Sequence, residues 1–265
     1  MSLVEDHFKL HHPPFPQAVD KAALLSHAAL KDAIERLRFA LDRDAIAILT
    51  AESGCGKTTA LAQLVRDLDA TAYQVIYSSM ASLKAFRLLS YLVTKAGLRP
   101  RRFKGETAHE LVAHCRALAK RALIIVDDAH LLPDDSLEDL RLLTGDSLDQ
   151  KSPFALILAG QPLLRERLAE PLHYALAQRI TVRARLRTLT DSELCLFLDK
   201  HLRAVGAKTS LFDPDAVTLI FQHSRGIPRL AQNLALAALL AAATGNKKVV
   251  DADAVQQALL DQDAA

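Results

Sequence analysis

One stretch near residue 50 restricts the possible folds more than any other part of the sequence. The apolar run Ala45–Thr50 has the composition of a buried strand, and helical periodicity extends over Thr58–Asp67. The loop between them reads Ala51-Glu52-Ser53-Gly54-Cys55-Gly56-Lys57-Thr58-Thr59. A strand, a loop ending in Gly-Lys-Thr and a helix in this order form a phosphate-binding loop, because backbone N–H groups and the helix N-terminus surround phosphate oxygens. The sequence therefore predicts an α/β protein built around this loop.

The side chains of the loop predict ATP and Mg²⁺ as cofactors. Lys57 is expected to neutralise the β- and γ-phosphate oxygens, and the Thr58 hydroxyl is expected to ligate Mg²⁺. Ala51 stands where the motif usually has its first glycine, and its small side chain tolerates most backbone conformations. A chance Gly-Lys-Thr in an unrelated loop is the alternative, and the strand-loop-helix context argues against it. The other loop residues expected to contact phosphate are Glu52, Ser53, Gly54, Cys55, Gly56 and Thr59.

A second motif of this chemistry lies in an apolar strand that ends in two carboxylates. The run Leu123–Val126 is followed directly by Asp127 and Asp128, the arrangement called Walker B. Asp127 is expected to hold Mg²⁺, and Asp128 to orient or deprotonate the attacking water. Because many proteins of this class have glutamate at the second position, the shorter Asp128 predicts slow hydrolysis. The alternative is two solvated acids after a core strand.

Three further residues are candidates for the triphosphate end of the pocket. Gln161 follows an apolar strand, where it can either sense the γ-phosphate or simply cap the strand. Arg229 opens a helix late in the chain, from which its guanidinium can approach the γ-phosphate when a lid closes. Arg179 precedes the last predicted strand and can project into the ATP of a neighbouring subunit. An ordinary surface arginine is the alternative for Arg179.

The order of elements predicts a sheet domain followed by helices. Strand candidates are Ala45–Thr50, Gln74–Tyr77, Ala122–Val126, Ala155–Leu158 and Ile180–Val182. Helical patterns lie between them, among them Leu83–Ala96 and Thr107–Lys120, the second with Thr107 as its cap. Strand signals stop after Leu186, and Thr190 starts the first of several helices. We therefore expect a lead-in with a helix over 1–43, an α/β nucleotide-binding domain over 44–187 and a helical lid over 188–265.

Composition limits the possible classes of protein. Half of the residues are apolar, 24% are charged, 5% are aromatic and none is tryptophan, as is typical of a helix-rich globular protein. The three cysteines are scattered, which predicts neither disulfides nor a zinc site and favours a reducing cytoplasm. The N-terminus lacks the layout of a signal peptide, and the apolar stretch Leu234–Thr244 is too short to span a membrane. We expect a cytoplasmic protein without membrane contact.

The net charge of +2 is too small to predict nucleic-acid binding, so a local cluster of cations would have to provide it. Such a cluster occupies one predicted loop and consists of Arg99, Arg101, Arg102 and Lys104. Repeated in each subunit of an assembly, these cations would follow the phosphates of duplex DNA without recognising bases. A solvated loop that keeps the protein soluble is the alternative. The next cations to consider are Lys84, Arg87, Lys247 and Lys248.

Several of these motifs, in this order, resemble the ExeA and TnsC/TniB group of AAA+ ATPases. The resemblance rests on the phosphate-binding loop and on Asp127-Asp128-Ala129-His130-Leu131-Leu132, Gly160-Gln161-Pro162, Gln178-Arg179-Ile180 and Gly226-Ile227-Pro228-Arg229. It implies an AAA+ core with a five-stranded parallel sheet, in the strand order 5-1-4-3-2, and a helical lid. It also implies the roles given above for Lys57, Thr58, Asp127, Asp128, Gln161, Arg179 and Arg229. Asp128 and Ala51 depart from the commonest pattern of the group.

The group contains proteins with two different tasks. Secretion members continue into a membrane span and an envelope domain, whereas transposition members assemble on duplex DNA and recruit a transposase. Because the sequence ends soon after the lid, we expect the DNA role: a transposition regulator that forms a homo-oligomeric ring or filament on duplex DNA. The alternatives are an ExeA-like secretion-assembly ATPase and a nucleotide-gated switch that binds a protein partner but no DNA.

Overall fold

The computed structural model describes residues 3–15, 27–79, 85–145 and 152–263. These residues form two compact units. The sheet unit contains the described residues of 28–53 and 57–186, and the helical unit contains the described residues before 28, residues 54–56 and the described residues from 187 onward. The division predicted from the sequence, into 1–43, 44–187 and 188–265, stays a prediction.

The sheet unit contains five strands that pair only in parallel. They are β1 (Ile46–Thr50), β2 (Tyr73–Ser78), β3 (Arg121–Val126), β4 (Ala155–Gly160) and β5 (Ile180–Arg185). Their order is β2-β3-β4-β1-β5, which confirms the predicted order 5-1-4-3-2 when the sheet is followed from its other edge. The predicted α/β fold, a five-stranded parallel sheet with helices after its last strand, is therefore confirmed.

The register of the central strands brings three chain segments together at one edge of the sheet. Thr50 at the end of β1 pairs with Gly160 at the end of β4, and Val126 at the end of β3 pairs with Leu158. Parallel strands all end at the same edge, so the segments that follow β1, β3 and β4 are neighbours there. The phosphate-binding loop, the Asp127-Asp128 pair and Gln161 lie on these segments.

Helices cover the sheet and complete its apolar core. They are α2 (Ala28–Leu41), α3 (Lys57–Arg66), α4 (Ala85–Lys95), α5 (Lys104–Ala117), α6 (Asp134–Leu143), α7 (Leu163–Leu168) and α8 (Tyr174–Arg179). Two short 3-10 helices, Ala129–Leu131 and Pro171–His173, precede α6 and α8. All five residues of β1 are buried, because a central parallel strand is covered on both faces. The first residues of the predicted helix 83–96, including Lys84, lie outside the described residues.

The predicted start of α5 was wrong. The helix begins at Lys104, three residues before the expected cap Thr107. Thr107 is fully buried, and its hydroxyl donates to the carbonyl of Phe103 at 2.9 Å, one turn earlier. A threonine inside a helix makes this bond with the carbonyl of residue i−4, so its presence does not require a helix terminus.

The helical unit consists of α1 (Leu3–Phe8), α9 (Asp191–Ala204), α10 (Pro214–Ser224), α11 (Pro228–Thr244) and α12 (Ala252–Asp263). The expected cap of α9 is present as a full capping box: Thr190 Oγ1 accepts from the Glu193 N–H, and the Glu193 carboxylate accepts from the Thr190 N–H. Val4 and Leu10 are buried in the core of this unit. Among the residues described, none of the helices combines the length and apolarity that crossing a membrane requires.

Candidate functional site

Lys57 is the first residue of α3 and lies close to the backbone that enters the phosphate-binding loop. Its ammonium donates to the carbonyls of Ala51 at 2.9 Å and Glu52 at 3.2 Å, and the residue is only 8% exposed. Gly54 and Gly56 have φ angles of +80° and +89°, in the left-handed region that other residues rarely adopt. The local backbone of the loop therefore requires the two glycines of the motif.

Thr58 and Asp127 meet directly at the edge of the sheet. The Thr58 hydroxyl donates to Asp127 Oδ2 at 2.8 Å, and the Tyr77 hydroxyl at the end of β2 donates to the same oxygen at 3.2 Å. Burial, followed by the charge of Asp127, raises the pKa of Tyr77 to about 12. The pair predicted to hold Mg²⁺ is thus within hydrogen-bonding distance, and Tyr77 is a third member that the sequence patterns did not indicate.

Asp128 has a backbone conformation that is uncommon for non-glycine residues. Its φ is +52°, and its N–H donates to Asp127 Oδ1 at 2.9 Å. The carbonyl of Asp128 accepts from the Leu131 N–H at 2.9 Å, which begins the 3-10 helix Ala129–Leu131. Non-glycine residues in this region carry strain that their surroundings must compensate, and such residues occur often at functional sites. The carboxylate of Asp128 is partly exposed beside the buried Asp127.

His130 connects the segment after β3 with the segment after β4. Its Nδ1 accepts from the backbone N–H of Gln161 at 3.4 Å, a long hydrogen bond. Burial lowers the pKa of His130, and the charges of Lys57 and Arg167 lower it further, against the opposing effect of Asp128 and Asp127. A neutral imidazole is the form in which Nδ1 can accept this hydrogen bond. Gln161 itself follows β4 and is partly exposed, and its role as a γ-phosphate sensor stays a prediction.

Arg179 and Arg229 lie on different helices, and both are exposed. Arg179 is the last residue of α8, and its Nη1 donates to the carbonyl of Arg141 near the end of α6 at 3.1 Å. Arg229 is in the first turn of α11, and its backbone N–H donates to the carbonyl of Gly54 at 3.3 Å. A Cβ at Gly54 would lie 3.0 Å from the Cβ of Arg229. The action of Arg179 on the ATP of a neighbouring subunit and the approach of Arg229 to the γ-phosphate stay predictions.

Two of the four cations of the basic loop have carboxylate partners within the chain. Arg101 forms two hydrogen bonds with Glu110, at 2.6 and 3.1 Å, and Lys104 Nζ lies 2.6 Å from Asp139. The guanidinium of Arg102 lies 5.6 Å from the ring centre of Phe103, and Arg99 is exposed. Arg99 and Arg102 are consequently the members of the cluster more available to an external anion.

Sequence reasoning missed Tyr77 and His130, which contact the predicted site residues Asp127 and Gln161, and Arg167, which contacts His130. His130 belongs to the motif that begins at Asp127, but the motif alone indicated no contact for it. Tyr77 and Arg167 lie on other elements, 50 residues from Asp127 and 37 residues from His130. Only the strand order and the path of α7 bring these side chains to the site.

Comparisons with known proteins agree with this architecture. Residues 37–168 match the AAA domain family. General secretion pathway protein A of Aeromonas hydrophila is 33% identical over 254 residues, covering 93% of this chain and 46% of that protein. The chain thus spans less than half the length of that relative.

Solved structures share the fold at low sequence identity. The crystal structure of Cdc6p from Pyrobaculum aerophilum aligns with a TM-score of 0.73 and 19% identity, over 96% of this chain and 70% of that chain. The Aeropyrum pernix ORC1 protein in complex with DNA aligns with a TM-score of 0.69 and 22% identity, over 93% and 68% of the two chains. The match to the AAA domain family covers residues 37–168, and the strand order and the phosphate-binding loop agree with that match.

Proposed function

We propose that the protein binds ATP with Mg²⁺ and hydrolyses it slowly. The observation that carries this proposal is the hydrogen bond of 2.8 Å between Thr58 and Asp127, where Thr58 directly follows the buried residue Lys57. A hydroxyl and a carboxylate are the oxygen ligands that Mg²⁺ takes from a protein when phosphates and waters complete its octahedron. These residues therefore fit the metal, whose chemistry would be to neutralise charge on the phosphate oxygens.

The residues around this centre have the chemistry that hydrolysis requires. Asp128 would orient or deprotonate the water, since its partly exposed carboxylate follows the buried metal ligand. Gln161 would contact the γ-phosphate from the end of β4, and Arg229 would contribute positive charge to the triphosphate. Arg179 is proposed to complete the site of a neighbouring subunit, because it is exposed at the end of α8.

Titration with ATP tests the nucleotide site. We expect Lys57→Ala to lose ATP binding, because the cation that neutralises the triphosphate is removed. Asp128→Asn should bind ATP like the wild type and hydrolyse it about 10²- to 10⁴-fold more slowly, as expected on loss of a positioned base. Isothermal titration measures the first effect and phosphate release the second. Wild-type affinity in Lys57→Ala would contradict the assignment of the pocket.

We further propose that ATP-bound copies assemble head to tail on duplex DNA in the cytoplasm, as a transposition regulator that recruits a transposase. Two observations support a DNA partner: Arg99 and Arg102 are exposed, and the ORC1 protein that shares the fold was solved in complex with DNA. Head-to-tail contacts produce rings or filaments, and an arginine that acts on a neighbour's ATP requires such contacts.

A secretion role is the second candidate function. The 33% identity to general secretion pathway protein A favours it, since this identity extends over 93% of the chain. Such a protein would use the same ATP-dependent assembly, but its partner would be another protein of a secretion apparatus. Affinity for duplex DNA distinguishes the two candidates.

Fluorescence anisotropy on two unrelated duplexes, over a salt series and with a non-hydrolysable ATP analogue, is the deciding measurement. If Arg99 and Arg102 contact phosphates, a double variant that carries both Arg99→Ala and Arg102→Ala should bind both duplexes more weakly, and by the same factor. Each lost contact lowers the slope of log K against log salt by about one. Arg116→Ala is the matched control, because this cation is also exposed but lies in the last turn of α5.

The measured affinity for duplex DNA decides between the DNA role and the secretion role. Wild-type protein without affinity for either duplex at low salt would favour the secretion role over the DNA role. Binding that persists unchanged in the double variant would retain the DNA role but exclude this loop as the contact.

A further inference from the structure

Arg167, on the short helix α7, holds the chain segment that follows β3. Its Nη1 donates to the carbonyls of His130 at 2.9 Å and Leu132 at 2.5 Å, and its Nη2 donates to the carboxylate of Asp134. The side chain of Arg167 is only 16% exposed. A planar guanidinium presents its N–H donors in a rigid fork on separate nitrogens, whereas the three donors of a lysine ammonium rotate about a single nitrogen.

The residues before α7 hold the same segment from the other side. The Gln161 N–H donates to His130 Nδ1, and the end of β4 approaches the backbone of His130 closely. A Cβ at Gly160 would lie 3.1 Å from the His130 nitrogen, so only glycine allows this approach without a shift of the neighbouring atoms. His130 is therefore fixed through its ring by Gln161 and through its carbonyl by Arg167.

His130 lies two residues after Asp128. The two residues are joined by the 3-10 helix Ala129–Leu131, in which Leu131 donates to the Asp128 carbonyl. Asp128 has a φ of +52°, a conformation that surrounding contacts must maintain. The carbonyls of His130 and Leu132 connect this segment to α7 through Arg167.

The carboxylate of Asp134 extends the contact towards α8. It accepts from Arg167 and lies 2.9 Å from Nε2 of His173, a residue that is 3% exposed. His173 directly precedes α8, whose last residue is Arg179. Arg167 thus links the segment after β3, through Asp134 and His173, with the start of α8. The last residue of α8 is Arg179.

From these contacts we propose that Arg167 is a positioning residue for ATP hydrolysis. It keeps the segment 128–134 in the conformation that directs Asp128 towards the water and Gln161 towards the γ-phosphate, and it does not touch the nucleotide itself. The inference rests on the proposed ATPase function. It predicts that loss of Arg167 affects the chemical step and leaves ATP binding intact.

The test compares Arg167→Met with the wild type in ATP binding, turnover and hydrogen exchange. We expect ATP affinity to remain within about twofold while kcat falls about 10- to 100-fold, the effect of a small displacement of catalytic groups. Amide exchange should rise in segments 128–134 and 171–179 and stay unchanged in 51–58. Arg167→Lys keeps the charge but not the planar fork, so its kcat and amide exchange should lie between those of the wild type and of Arg167→Met. This variant replaces Arg167→Met in the test if the methionine variant does not fold.

Arg165→Met is the matched control, because Arg165 lies on the same helix and is exposed. It should match the wild type in every measurement. Wild-type kcat in both Arg167 variants would overturn the inference, as would equal losses of ATP affinity and kcat, which indicate general damage to the pocket.

Failure of the proposed function would have a different signature. Wild-type protein that binds no ATP would refute the ATPase proposal, and the exchange measurement would still decide whether Arg167 holds the segment. Unchanged exchange in 128–134 of Arg167→Met would then refute the inference on its own.

Discussion

Replacing Asp127 by asparagine separates its predicted role as a metal ligand from its role in the fold. Asp127 is 3% exposed and accepts three hydrogen bonds, from Thr58, from Tyr77 and from the Asp128 N–H. The amide oxygen of asparagine can still accept from the Asp128 N–H. Its NH₂ group would face two hydroxyls, which can rotate and accept instead of donating. We therefore expect the free energy of unfolding without nucleotide to change by about 1 kcal/mol or less.

The effect on metal-dependent stabilisation should be much larger. A ligand at about 100 times its Kd stabilises the folded state by about 2.7 kcal/mol. For a protein of this size this corresponds to a rise in Tm of roughly 5–10 °C. Asparagine lacks the negative charge that Mg²⁺ requires, so Asp127→Asn should lose the part of the rise that depends on the metal.

Thermal unfolding with ATP and Mg²⁺, and with ATP and a chelator, measures that part directly. Asp69→Asn is the control, because Asp69 is exposed in the loop after α3 and has no predicted contact with the nucleotide. It should show the full metal-dependent rise. The same rise in Asp127→Asn as in the wild type, at equal ligand concentrations, would refute Asp127 as the metal ligand.

Three further predictions follow from other contacts. Arg179→Ala should bind ATP but hydrolyse it poorly, and mixing it with Lys57→Ala should restore some turnover, because one variant supplies Arg179 and the other the pocket; no recovery at any ratio in co-assembled samples would refute the action of Arg179 on a neighbour's ATP. Thr190→Ala should lower the free energy of unfolding in urea by about 1 kcal/mol, because the cap of α9 is lost. The Arg187 side chain lowers the pKa of Glu193 from 4.5 to about 2, so the stabilising effect of this carboxylate is present above pH 4.5 and is lost towards pH 2. Glu193→Gln should thus be less stable than the wild type by about 1 kcal/mol at pH 7 and equally stable near pH 2, and a difference independent of pH would contradict this.

Central strands were predictable because burial on both faces leaves continuous apolar runs. Ala45–Thr50 was predicted and Ile46–Thr50 was found, with all five residues buried. The start of α5 was not predictable in the same way. Threonine occurs both at helix caps and inside helices, and only the observed helix start at Lys104 showed which of the two applied.

The nucleotide-site motifs were visible in the sequence because their residues are consecutive. Lys57 and Thr58 are adjacent, as are Asp127 and Asp128, and each pair directly follows a strand or loop of recognisable type. The basic loop was visible too, but its ion pairs were not. Glu110 and Asp139 engage two of its cations, and no charge pattern within the loop indicated them.

The sequence by itself determined the α/β fold, the position of the phosphate-binding loop and the acidic pair expected to face it. These features depend on local composition and on the rule that parallel strands end at one edge. Only the tertiary structure decided which side chains meet across elements: Tyr77 with Asp127, and Arg167 with His130 and Asp134. Such contacts join residues far apart in the chain, and their geometry depends on strand register and helix packing, which no local pattern specifies.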